Sequence, residues 1–104
     1  MKLIEKLSEM IEEEVEGACH YAKQALKHKE DDPELARTFY EIAGVELQHV
    51  SMLHAQVTRI IEHHRREHGE PPAAMAAVYN YLHEKQIEQA NKAKNYLAAY
   101  RGQA

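Results

Sequence analysis

Tryptophan is absent from this 104-residue chain, cysteine occurs once, and only three prolines and four glycines interrupt it. The lone Cys19 excludes an intrachain disulfide and any four-cysteine zinc or iron centre within the chain. No apolar run approaches the ~20 residues of a membrane span, which argues against a membrane protein. Residues 1–17 set charge between apolar positions every third or fourth residue. They lack the continuous apolar core of a signal peptide, so a cytoplasmic location is expected. Surplus positive charge is missing too. The net charge is -4 and the sequence pI about 6.0, whereas a general nucleic-acid binder needs a basic face to displace counterions.

What is present is helical. The length fits one domain over residues 1–104, and a chain this short buries only about 60–68% of its unfolded surface. A second copy would enlarge so modest a core. Asp32 as N-cap with Pro33 at the first helical position starts a helix. Gly69 ends one, and Pro72 begins the next. The reading is therefore all-α, with helices over 2–29, 33–68 and 72–101. β-branched residues are few and no strand-like alternation appears. Both connections are short, so consecutive helices are expected to be antiparallel neighbours in a bundle.

Eight histidines prompt a search for metal ligands, because imidazole is the commonest transition-metal donor. On the first helix, at about 100° per residue, Leu3, Leu7, Met10, Ile11, Ala18, Tyr21 and Ala25 form a stripe. Glu14 falls at its centre, while Glu12, Glu13 and Glu16 fall well away from it. On the second helix Leu35, Phe39, Ile42, Val50, Leu53, Val57 and Ile60 form the stripe. Glu46 lies at its centre, with His49 about 60° to one side. Glu46 and His49 make a Glu-x-x-His pair on one face. The midpoint of positions 14 and 46 is residue 30, inside the turn, so an antiparallel hairpin sets all three at one height.

A carboxylate on an apolar seam costs several kcal/mol unless something neutralises it. A proton, a histidine, an arginine or a metal would serve. No lysine or arginine lies centrally on either seam at that level, so a metal is the economical answer. Doubling the three ligands by two-fold symmetry gives four glutamates and two histidines. That is the set that holds two iron or two manganese ions in ferritin-like bundles. Four carboxylates and two divalent cations then cancel in charge.

The pattern Glu14-x6-Tyr21, followed by Phe39-x-Glu41-x-Ala43-x-x-Glu46-x-x-His49-x-x-x-Leu53, resembles the first helical hairpin of rubrerythrin-type ferritin-like proteins. The resemblance covers roughly residues 10–60. It implies a ferritin-like four-helix bundle in which Glu14, Glu46 and His49 ligate iron. It also implies that Tyr21 hydrogen-bonds to a ligand carboxylate. Members usually carry a second Glu and a second Glu-x-x-His in the same chain. Residues 70–104 contain no Glu-x-x-His, and Glu84 and Glu88 lie nearly opposite the apolar stripe of the third helix. Glu88 is kept as a reserve ligand. The simpler expectation is a homodimer, or a higher homo-oligomer, whose paired hairpins complete the bundle around two Fe ions, with Mn as the other candidate. The rubredoxin-like domain of rubrerythrins is missing, so any electron donor is expected to be a separate molecule.

Plainer alternatives stand beside these expectations. Glu14, Glu46 and His49 could form a metal-free polar network with one glutamate protonated. Tyr21 is equally an amphipathic core residue. His54, one turn beyond the site, is a candidate supporting residue, and His64 with His68 a candidate for adventitious metal. Function is open among a di-iron oxidoreductase using dioxygen or hydrogen peroxide, an iron-handling or storage protein, and a metal-free interaction module.

Overall fold

The computed structural model describes residues 1–102 as three helices, α1 (Lys2–His28), α2 (Pro33–His68) and α3 (Ala73–Tyr100). Gln103 and Ala104, the last two positions of the expected domain, lie outside the described residues. The caps explain the boundaries. The Asp32 carboxylate accepts a hydrogen bond from the Leu35 backbone N–H at 3.2 Å, and Pro33 follows with its φ already helical. At the other end of α2 the chain passes through Gly69 at φ +78°, a left-handed turn that favours glycine. No strand occurs among the described residues.

The molecule is a rod with a long axis of 55 Å, set by the 36 residues of α2. α1 and α2 form an antiparallel hairpin. α3 runs parallel to α1 and packs chiefly on it, touching α2 at few places. Small side chains make this possible. Ala18, Ala22, Ala25, Ala36, Ala43, Ala90 and Ala93 are all buried, and their size lets the helix axes come close. Ile11 and Val15 are the largest side chains fully enclosed. Near the α1–α2 turn, Ala22, Ala43 and Leu97 form the best-closed part of the core, flanked by Tyr21, Tyr40, Leu47 and Tyr96.

The core of α1 differs from the expected stripe in one respect. Ile4, Ile11, Val15, Ala18, Ala22 and Ala25 are buried, whereas Leu3 and Met10 stand 51% and 44% exposed. The helix carries two adjacent apolar faces. One packs in the core, much of it against α3. The other, bearing Leu3, Met10 and Glu14, is left open within one chain. A single wheel average merges the two.

Candidate metal centre

Glu14, Glu46 and His49 come together on the α1–α2 hairpin, each offering a ligand atom within 4.8 Å of the other two. His49 Nδ1 lies 3.4 Å from Glu14 Oε2. Spacing accounts for the convergence. Glu46 and His49 are three residues apart and share a face of α2, and the hairpin brings Glu14 to their height. The group does not sit in the core of its own chain. The Glu14 and His49 side chains are 29% and 46% exposed, on the open face.

Its electrostatics are strained. The ion pairs of the described residues include no lysine or arginine on Glu14 or Glu46. The Glu46 carboxyl is pushed up to about 7, because its protonated form hydrogen-bonds to Glu14, because burial disfavours its charge, and because Glu14 repels it; His49 pulls weakly the other way. Two carboxylates thus compete for one proton, while an imidazole nitrogen waits beside them. A divalent cation would satisfy all three donors, since oxygen and nitrogen ligands bind such ions at roughly 2.0–2.2 Å. The donors present fit iron or manganese, for which carboxylate and imidazole are suited ligands.

Gly17 completes the site, and the sequence reading passed over it. A Cβ there would stand 3.3 Å from Glu46 Oε2 and 3.4 Å from Glu46 Cδ, so only glycine leaves the carboxylate its present room. The signal was a glycine inside a helix, one turn beyond Glu14, where alanine would favour the helix by about 1 kcal/mol.

Other expected residues fall elsewhere. Tyr21 is half-buried with its ring 5.9 Å from that of Phe39, and among the described residues it makes no hydrogen bond to Glu14 or Glu46. His54 turns away from the site toward α3, where its Nε2 lies 2.9 Å from His83 Nδ1. Its position one turn beyond the site suggested a supporting role there, but the packing of α3 pairs it with His83 instead. Glu84 and Glu88 are exposed on α3 and do not join the group. The His64 and His68 rings pack 4.7 Å apart near the end of α2. No helix of the described residues is long and apolar enough to cross a membrane. Comparison of the chain with protein-family models, with curated proteins and with solved structures finds no match.

Proposed function

We propose that two copies of this chain pair through their α1–α2 faces to make a non-haem di-iron protein of the rubrerythrin and ferritin-like kind. The observation that carries the reading is the convergence of Glu14, Glu46 and His49 on a face a single chain leaves open. Exposed apolar side chains surround the group. Met10 on α1, and Val45 and Met52 on α2, are 44%, 47% and 66% exposed, on the same side of their helices as Glu14 and His49. A second copy laid on that face by a two-fold axis would cover these side chains. It would also bring the matching carboxylates and imidazole opposite the first set.

In that arrangement Glu14, Glu46 and His49 of each copy would hold the ions, carboxylate oxygens and an imidazole nitrogen being the donors. Glu46 would give up its proton on binding, and the missing side chain at Gly17 leaves its carboxylate the place it occupies. A bound ferrous pair would supply two electrons, enough to take hydrogen peroxide with two protons to two waters, or dioxygen to the peroxide level. Repeated cycles would need a reductant, which Glu14, Glu46 and His49 do not themselves supply. The apolar rim excludes bulk water from the paired site.

The test is ferrous-ion titration of chelator-stripped protein under anaerobic conditions, with solution mass measured in parallel. Two irons per pair of chains are expected, and Glu46→Ala should abolish binding. A monomer that takes up no iron, with thermal stability indifferent to the metal, would leave the metal-free interaction module standing instead. Peroxide mixing with and without reductant then separates a turning-over enzyme from an iron-storing protein.

A further inference from the structure

We propose that His54 and His83 form a second metal site, independent of the first, that takes one zinc-like, imidazole-preferring divalent ion and clips α2 to α3. The two helices touch little along this stretch. An open groove runs between them, walled by Ile11, Val50, Val57, Leu82 and Ile87. The His54 and His83 side chains meet across it at its waist, each half-buried.

The geometry suits a shared ion. His54 Nε2 and His83 Nδ1 are 2.9 Å apart. Two imidazole nitrogens bound to one zinc at about 2.0–2.1 Å, with an angle of roughly 90–109°, lie about 2.9–3.4 Å apart. The rings are inclined by 24° with centroids only 4.5 Å apart, closer than a head-on imidazole pair at that nitrogen separation. At least one lone pair is therefore tilted off the line joining the nitrogens. Insertion of an ion requires the ring that carries the shared N–H to take its other tautomer, so that both facing nitrogens present lone pairs, and a small spreading of the rings.

The surroundings favour the unprotonated ligands. Burial and the neighbouring His83 hold His54 below its ordinary value, which favours the neutral ring over the cation. Gln86, one turn beyond His83, is committed elsewhere; its amide donates to Ser8 Oγ at 2.9 Å and to the Ser8 carbonyl at 3.2 Å. The groove leaves the remaining coordination positions to water. Among the described residues no carboxylate joins the pair, and imidazole donors select zinc, nickel or copper over the harder ions that suit Glu14 and Glu46.

Zinc titration of the stripped full-length chain tests this, read by calorimetry. In a Glu46→Gln background, which disables the first site, one zinc per chain should still bind. Adding His83→Gln should remove that equivalent, whereas His64→Ala with His68→Ala should not. His83→Gln alone should leave ferrous-ion uptake at the Glu14 site unchanged, so the two sites fail or stand separately. Cobalt(II) added to the unsubstituted chain should shift the His54 and His83 ring resonances together, a readout that needs no variant to fold. Zinc binding that survives His83→Gln, or that vanishes with the His64 and His68 substitutions, would overturn the assignment. Unshifted His54 and His83 resonances would do the same.

Discussion

Replacing Glu46 with glutamine should push stability and metal binding in opposite directions. In the metal-free chain the Glu46 carboxyl titrates near 7 instead of 4.5. The native state therefore holds a proton that the unfolded chain has released between those two values. That contribution is complete below pH 4.5 and disappears as pH rises through about 7, where Glu14 and Glu46 repel each other as bare carboxylates. Glutamine keeps a donor facing Glu14 at every pH. At about 1.36 kcal/mol per pH unit the difference has a ceiling of ~3 kcal/mol. The site is half open, so screening by water and salt reduces this to about 1 kcal/mol. For a chain this size that is a rise in Tm of about 4 °C. Thermal melts of metal-free Glu46→Gln and the parent should thus differ by about that much at pH 8 and coincide at pH 4, while the variant loses its ferrous ions. A variant less stable than the parent at pH 8, or a gain equal at both pH values, would refute the claim that two facing carboxylates strain this site.

Four further outcomes follow from the same geometry. Gly17→Ala should raise metal-free stability through helix propensity, by up to about 1 kcal/mol, yet weaken iron binding, because its Cβ crowds Glu46; melts and iron titrations together check this. Ile11→Ala empties a site only 2% exposed and should cost about 2–5 kcal/mol, enough to leave much of so small a protein unfolded by circular dichroism. Met52→Glu places charge on the open apolar face and should halve the solution mass without loss of helicity. Iron affinity should fall about fivefold from pH 7 to pH 6, and approach a tenfold fall per unit below that, since one proton must leave Glu46 for the ion to bind; titrations at pH 6 and 7 compare the two.

The helices were plain in the sequence because their punctuation is local. Asp32-Pro33 and Gly69 act within a turn of their own positions, and the helices begin and end there. The convergence of Glu14, Glu46 and His49 was also legible, because helical spacing fixes the face and hairpin symmetry fixes the height. The partition of α1 into two faces was not. Leu3 and Ile4 are neighbours in the chain and equally apolar, and only the position of α3 decides which is covered. His54 was misplaced for the same reason, since its partner His83 lies 29 residues away on a helix whose docking no local pattern encodes. Gly17 was overlooked because a glycine inside a helix signals a close approach without naming the side chain, here Glu46, that makes it.

The most direct measurement is native mass spectrometry of the chain loaded anaerobically with ferrous iron. The account predicts a species of two 12.0 kDa chains carrying two irons, lost as a unit when Glu46 is replaced. Single chains each binding an ion alone, or a metal-free dimer that ignores added iron, would contradict it.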